Sequence, residues 1–314
     1  MNHLHLLDTP SPSPSHLLPT CRVYHFLARS GKLWSTSDKS IRVLPDEDAI
    51  TNKIDHISYG GFRNNTMEIP NLGGSLIPIF FLMYIFVYLL GYLIIFKTWD
   101  TKKKPDASSC LISLAHGTPA VILSIYANFL HTQTPNHHFD SQNTPFQTLV
   151  FDLSIAYFII DTTHYLIFIP NDHLFIAHHI AVLYVFITCR YVVGYGGFAI
   201  LLLLTLAEVT SPLQNMWSLA RYRKDEVEAA ARLYGGLSPY FYGFYTVVRG
   251  VLGPLFVYRM VVFYLKGGGD GVVPVWAWVS WMVVIVCAIL ASMMWVSCLW
   301  LNYFKERSKI KKLS

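Results

Sequence analysis

Residues 151–179 read FDLSIAYFIIDTTHYLIFIPNDHLFIAHH. The stretch is apolar enough for two membrane helices joined by a short Pro-containing turn, yet it carries Asp161, His164, His178 and His179. A charged side chain near the centre of a membrane helix costs roughly 2.5 kcal/mol or more, and such residues usually face a protein interior or a water-filled cavity. The stretch therefore predicts a helical hairpin that turns polar side chains toward a common interior.

The composition of the whole chain is that of a membrane protein. Of 314 residues, 53% are hydrophobic and only 14% are charged, whereas soluble domains carry about 25% charged residues. Seven apolar stretches lie near the roughly 20 residues that a helix needs to cross a bilayer. Their predicted limits are Leu76–Phe96, Cys110–Leu130, Thr148–Phe168, His173–Cys189, Val192–Pro212, Tyr240–Leu265 and Val275–Leu301. The expected fold is an all-α membrane protein with seven transmembrane helices.

The chain divides by composition into four parts. Residues 1–70 are rich in Ser and Pro and are expected to be disordered, and translation from Met67 would still give the complete membrane body. Residues 71–107 hold the first span and a basic loop, residues 108–304 the other six spans, and residues 305–314 a basic tail. No basic face with interleaved aromatic residues is present, so nucleic acid is not expected as a partner.

Loop charges predict the orientation in the membrane. Lys and Arg concentrate in residues 97–104, residues 221–232 and the tail, whereas the alternate loops carry few. With seven spans these three segments share one side, which the positive-inside rule makes cytosolic, so the N-terminus is expected in the lumen.

The tail also suggests a location. Lys311 and Lys312 stand fourth and third from the end of the sequence, as in the di-lysine signals that retrieval coats bind to return membrane proteins to the endoplasmic reticulum. A plain basic tail beside anionic lipid is the alternative.

Ionisable or hydrogen-bonding residues fall at similar predicted depth in the cytosolic half of five spans. They are His116 on the second span, Asp161 and His164 on the third, His178 and His179 on the fourth, Glu208 on the fifth, and Tyr245 and Arg249 on the sixth. We expect these residues to form one polar layer that lines a pocket, with the bilayer as its surroundings.

The spacing of these residues along their helices predicts hydrogen-bond and ion-pair partners within the layer. Asp161 stands three residues before His164 and is expected to accept a hydrogen bond from it. Arg249 requires an anion, for which Glu208, Asp161 or a ligand phosphate or carboxylate are the candidates. Asp152, nearly opposite Asp161 on its helix, is expected to snorkel to the lumenal surface.

The same residues carry a resemblance to the TLC domain family, which includes ceramide synthases. The features are an Asp-bearing helix, the Pro-containing turn, HHI at 178–180, AEVTSPLQNMW at 207–217 and an Arg-bearing sixth span. The likeness covers about residues 108–304, and SPLQNMW is more similar to the branch outside the ceramide synthases, which contains plant TLC domain-containing proteins.

The resemblance implies a barrel of spans two to seven that opens to the cytosol. It further implies acyl transfer from acyl-CoA as co-substrate, without another cofactor, with His178 and His179 as nucleophile or general base and Asp161 in support. His116, His164, Glu208, Tyr245 and Arg249 would then contact the lipid or acyl-CoA. One departure is clear: residues 192–214 contain a single carboxylate, that of Glu208, where ceramide synthases carry a further His-Asp and acidic set.

Two other functions remain open from the sequence. The protein could bind a lipid or regulate membrane composition without catalysis. It could also be a metal-dependent lipid hydroxylase or desaturase, because His173, His178 and His179 give a His-x4-His-His spacing. Such sites need several His boxes, which this sequence lacks, so no metal is expected.

Overall fold

The protein folds as an all-α membrane protein in a computed structural model that describes residues 74–130 and 138–313. Within these residues, seven helices are long and apolar enough to cross a membrane, and no β-strand is present. The spans are α1 (Ile77–Ile95), α2 (Lys104–Leu130), α3 (Pro145–Phe168), α4 (His173–Val193), α5 (Gly197–Arg223), α6 (Glu228–Leu265) and α7 (Val275–Lys305), the last continuing as helix to Leu313. The fold class expected from the sequence is confirmed.

The hairpin of α3 and α4 is fixed by local sequence. Thr144 caps α3 in a reciprocal pair with Gln147, and Pro145 occupies the first turn, where its missing N–H is not needed. Asp172 caps α4 by accepting a hydrogen bond from the backbone N–H of Phe175. The turn between the helices is short, so α3 and α4 pack side by side in antiparallel directions.

Spans α2 to α7 close into a ring within the compact unit Met67–Trp300. Helix α2 packs on α3 and α5, α3 on α4, and α5 on α6. Helix α7 completes the ring, because Trp281 donates a hydrogen bond to Thr188 of α4 over 2.8 Å and Trp300 donates one to Thr246 of α6 over 2.9 Å. The expected six-helix barrel is thus present, and α1 packs outside it against α2 and α3.

Two ends of this unit can be distinguished. We call the end where α1 joins α2, α3 joins α4 and α5 joins α6 the basic end, and the other the opposite end. At the basic end, Lys103 Nζ lies 2.6 Å from Glu226 Oε1 and also donates to the backbone carbonyl of Tyr222. The hydrogen bond from Lys103 lowers the pKa of the Glu226 carboxyl. This contact ties the first basic loop to the α5–α6 connection.

Several helices extend beyond their predicted ends. Helix α2 begins at Lys104 rather than Cys110, α4 continues to Val193, and α6 begins at Glu228 rather than Tyr240. Hydropathy marks only the apolar centre of a span, whereas the amphipathic first turns of α6 continue the same helix outside that centre. The fifth span is interrupted between Glu208 and Ser211, where a new helical segment starts.

The described part of the second compact unit is the end of α7, from Leu301 to Leu313. The segment 1–70, the start at Met67 and the side chains of Lys311 and Lys312 lie outside the described residues. The domain limits proposed from composition therefore stay predictions.

Candidate functional site

The carboxylate of Asp161 is the centre of a hydrogen-bonded group in the third span. Its side chain is 2% exposed in the part of the bundle where α2, α3 and α4 meet. Ser109 of α2 donates a hydrogen bond to Oδ1 over 2.8 Å, and His179 Nε2 of α4 lies 2.9 Å from Oδ2. A buried carboxylate needs such partners, because burial without them costs several kcal/mol. Asp161 therefore holds three consecutive spans together.

Both ring nitrogens of His179 are engaged. Nδ1 lies 3.0 Å from the backbone carbonyl oxygen of Phe175, which can only accept, so Nδ1 carries a proton. Nε2 shares a 2.9 Å hydrogen bond with Oδ2 of the Asp161 carboxylate. Both ring nitrogens of His179 thus take part in hydrogen bonds, one of them to Asp161.

His178 differs from His179 in its burial and in its hydrogen bonds. Its ring stands 5.7 Å from the His179 ring, at 78° to it. It is half-buried rather than buried, and its nitrogens make no hydrogen bond to another described residue. Arg249 of α6 is near enough to interact with it electrostatically. His178 is therefore the imidazole of the pair that has no hydrogen bond to the other described residues.

Arg249 is a cation without a carboxylate partner among the described residues. One terminal nitrogen donates to the backbone carbonyl of Ala207, and Nε is buried without a hydrogen bond. Its guanidinium lies over the Tyr245 ring, 5.4 Å from the centroid. Glu208 is close enough for electrostatic interaction but lies beyond ion-pair distance. Of the anions expected from the sequence, neither Glu208 nor Asp161 forms an ion pair with Arg249 in the described part of the chain.

Glu208 is held where α2 and α5 approach most closely. A Cβ at Gly117 would lie 2.8 Å from Glu208 Oε2 and 3.1 Å from Ser211 Cβ, so a larger residue there would force the Glu208 side chain to move. Ser211 opens the second helical segment of α5, so the Glu208 carboxylate lies beside a helix N-terminus. The break in α5 therefore positions a buried acid on the ring interior.

The residues expected to form one polar layer meet α2 at two positions. Asp161 contacts α2 at Ser109, whereas Glu208 meets α2 at Gly117. These α2 positions lie about 12 Å apart along the axis at 1.5 Å per residue. The contacts with α2 are therefore spread along that helix, while Glu208 still interacts electrostatically with Asp161, His179 and Arg249.

His116 and His164 make no hydrogen bond to Asp161 or His179, although both interact with Asp161 electrostatically, and each keeps one buried ring nitrogen without a hydrogen bond to the described residues. His116 is fully buried, stacks on Tyr157 with centroids 4.0 Å apart, and shares a 3.1 Å hydrogen bond with Ser154. His164 pairs through Nδ1 with the Tyr88 hydroxyl of α1 at 3.2 Å. The predicted hydrogen bond from His164 to Asp161 is wrong, because the two side chains leave α3 toward different neighbours.

Tyr245 belongs to the aromatic wall between α6 and α7. Its ring packs edge-on against Trp295 at 4.5 Å and it is buried. It lies next to Arg249 and shapes the surface that the guanidinium faces.

The sequence reading missed Ser109, which completes the Asp161 site. A pair of serines at 108 and 109 at the start of an apolar span was the available signal. Metal binding gains no support from the geometry: within residues 74–130 and 138–313, no three His, Cys, Asp or Glu side chains are placed to hold an ion.

Comparison with known proteins agrees with this fold. Residues 106–301, more than half of the chain, match the family model of the TLC domain. A TLC domain-containing protein of Arabidopsis thaliana is 51% identical over 247 residues, which cover 78% of this chain and 94% of that protein. No solved structure matches. The ring of helices and these matches define a multi-pass membrane protein, and the chain belongs to the TLC domain family.

Proposed function

We propose that this protein acts in lipid metabolism or homeostasis at the endoplasmic reticulum membrane, where its ring interior binds a lipid or acyl-CoA and His178 supports acyl transfer. The observation that carries the proposal is that neither the His178 imidazole nor Nε of Arg249 has a hydrogen-bond partner among the described residues. A desolvated cation in a membrane protein calls for an anion, and the chain's described residues do not pair one with it.

The chemistry follows from the free imidazole. His178 takes the proton of a lipid amine or hydroxyl as its nitrogen or oxygen attacks the thioester carbonyl of acyl-CoA. The new C–N or C–O bond forms, the C–S bond breaks, and the proton passes to the departing thiolate. If His178 instead attacked the thioester itself, an acyl-imidazole would form and CoA thiol would leave before the acceptor arrived.

His179 and Asp161 have a positioning role in this proposal. Because both nitrogens of His179 are engaged, it neither attacks nor removes a proton. It anchors α4 to α3 and so sets the direction in which His178 points. Arg249 and Glu208 supply charges for the head group, whereas His116 and His164 support the packing of α1 on α2 and α3.

The proposed topology places the basic end in the cytosol. Lys103, Arg221, Arg223 and Lys224 lie at or beside this end, as cytosolic loops of membrane proteins do. Acyl-CoA would then approach from the cytosol, and the Lys311–Lys312 tail would be available to a retrieval coat. Replacing both lysines with serine should release the protein from the endoplasmic reticulum, and unchanged localisation would contradict the retrieval signal.

The experiment that tests catalysis compares His178→Gln with His173→Gln. His173 is an exposed histidine at the start of the same helix, so it controls for the loss of an imidazole from α4. Purified protein would be given radiolabelled palmitoyl-CoA and a total lipid extract as the acceptor pool. We expect labelled lipid from wild type and His173→Gln, and a loss of at least about tenfold in His178→Gln. Equal product from His178→Gln would refute the assignment.

A second function, lipid binding without catalysis, is favoured by one observation, the hydrogen bonding of both His179 nitrogens. Both nitrogens of His179 are hydrogen-bonded, so only His178 has a nitrogen available. The ring of helices α2 to α7 could then hold an acyl chain and a head group without catalysing acyl transfer. In that case palmitoyl-CoA would bind to purified wild type, no labelled lipid would form, and cells carrying His178→Gln would keep an unchanged lipid profile.

A further inference from the structure

A second polar group lies at the opposite end of the bundle, away from the proposed site. It borders an open cavity of about 330 Å³. The lining is apolar along Leu76, Pro145, Phe146 and Leu149, with Thr148, Asp152 and Arg190 as the polar members beside Gly74. The cavity lies where α1 begins, α3 begins and α4 ends.

The expectation that Asp152 snorkels to the surface is wrong. Its side chain is buried, and both of its carboxylate oxygens accept hydrogen bonds. Its Oδ2 accepts the backbone N–H of Leu76 over 3.1 Å and thereby caps the start of α1. Its Oδ1 accepts the Tyr191 hydroxyl over 2.8 Å, and that hydroxyl contacts Ser75 as well. Both carboxylate oxygens therefore have donors before any contribution from Arg190.

Arg190 lies at ion-pair distance from Asp152 but makes no hydrogen bond to it. Its Nε lies 3.4 Å from Asp152 Oδ1, an ion pair by distance in which Nε makes no hydrogen bond. The side chain is 15% exposed, and its guanidinium lies over the Tyr191 ring, 4.7 Å from the centroid. Its terminal nitrogens make no hydrogen bond to another described residue, and Arg190 lines the cavity. The structure thus presents a guanidinium fork with unused donors next to an apolar wall.

We infer that this cavity binds the phosphate of a phospholipid, with Arg190 as its ligand. A guanidinium donates two parallel hydrogen bonds to phosphate oxygens, which is the pairing its planar fork fits best. The cavity is of the size that suits a head group rather than a whole lipid. The acyl chains would run along Leu76 and Leu149 into the bilayer, so the apolar wall and the cation serve one amphiphilic ligand.

The chain offers a matched control for the charge. Arg259 of α6 is exposed and lies near the same end of the unit, within two turns of the end of α6 at Leu265. Arg259→Gln therefore removes the same charge from the same side without touching the cavity. Arg190→Lys keeps the charge but loses the fork, and it serves where Arg190→Gln fails to fold.

The test uses the full chain in detergent and native mass spectrometry. Dioleoyl phosphatidic acid is compared with dioleoylglycerol, which differs only by the phosphate, and with inorganic phosphate alone. We expect wild type and Arg259→Gln to retain phosphatidic acid, Arg190→Gln to retain it at least about tenfold more weakly, and Arg190→Lys to be intermediate. Dioleoylglycerol should not be retained.

Three results would overturn the inference. They are equal retention by Arg190→Gln, equal retention of dioleoylglycerol, and phosphate alone binding as tightly as the lipid. The same comparison is made in an Arg249→Gln background, where an anion bound in the ring interior does not contribute, so failure of the proposed function and failure of this site are separately visible.

Discussion

Removing the Asp161 carboxylate should destabilise the protein more than any other single change in the ring interior. Asp161→Ala leaves the buried His179 ring and the Ser109 hydroxyl without their acceptor. Breaking a buried charged pair by deleting one partner costs about 3–5 kcal/mol. For a body of this size, 1 kcal/mol corresponds to about 2–4 °C in melting temperature, so the expected loss is about 6–20 °C.

Asp161→Asn separates the charge from the hydrogen bonds. The asparagine oxygen can still accept from Ser109, and its amide can donate to a neutral His179 that keeps its proton on Nδ1. The cost should be about 1 kcal/mol, close to that of Ser109→Ala, which removes a single hydrogen bond. The ranking is therefore alanine far below asparagine, and asparagine close to the serine control.

The assay is thermal unfolding in detergent, followed by tryptophan fluorescence and by recovery of monodisperse protein. A double-mutant cycle of Asp161→Asn with His179→Gln should show a coupling energy above about 0.5 kcal/mol, because the two side chains are in direct contact. Additive effects, or an Asp161→Ala variant that melts with wild type, would refute the view that this pair joins α3 to α4.

Three further predictions concern packing and charge. Gly117→Ala would place a methyl group 2.8 Å from Glu208 Oε2 and should lower the free energy of unfolding by about 1–3 kcal/mol. Gly235→Ala, which has open space around it, should not destabilise the protein. Equal melting temperatures for the two variants would contradict the close approach of α5 to α2 at Gly117. Asp152→Ala should lower the melting temperature by about 6–20 °C by removing the cap of α1 and the partner of Arg190, and a shift below about 2 °C would argue against both contacts. The Glu226 pKa is lowered chiefly by Lys103, so its stabilising effect is present above the unfolded value of about 4.3 and is lost as pH falls through the folded value. Wild type should therefore lose more stability on acidification than Glu226→Gln, and parallel pH profiles would refute the contact.

Much of the architecture could be predicted because it depends on short-range patterns. Apolar length gives the number of spans, and the Pro-containing turn with Asp172 as cap gives the hairpin of α3 and α4. Polar residues in the spans were correctly expected to be buried, since hydrocarbon penalises them. Asp161, His179 and Glu208 all follow this rule.

The pairings could not be predicted, because they depend on which helices are neighbours and how each is rotated. Asp161 and His164 share a helix face, yet Asp161 reaches α4 whereas His164 reaches α1. The π-helical turn at Thr246–Leu252 shifts the register that spacing alone assigns to Arg249. The sequence predicts a surface position for Asp152, because nothing at the start of α1 indicates the hydrogen bond that Asp152 accepts there.

The distinction between His178 and His179 is the clearest case. Adjacent residues on a helix point about 100° apart, so the sequence shows that the two rings differ but not which one is free. Only the backbone carbonyl of Phe175 and the carboxylate of Asp161 decide it.

The central claim is that the ring interior holds an anionic amphiphile through Arg249. The most direct measurement is equilibrium binding of palmitoyl-CoA to purified wild type, Arg249→Gln and the exposed control Arg259→Gln at one salt concentration. The account predicts that Arg259→Gln binds like wild type and that Arg249→Gln binds at least about tenfold more weakly. Equal binding by all three proteins would contradict it.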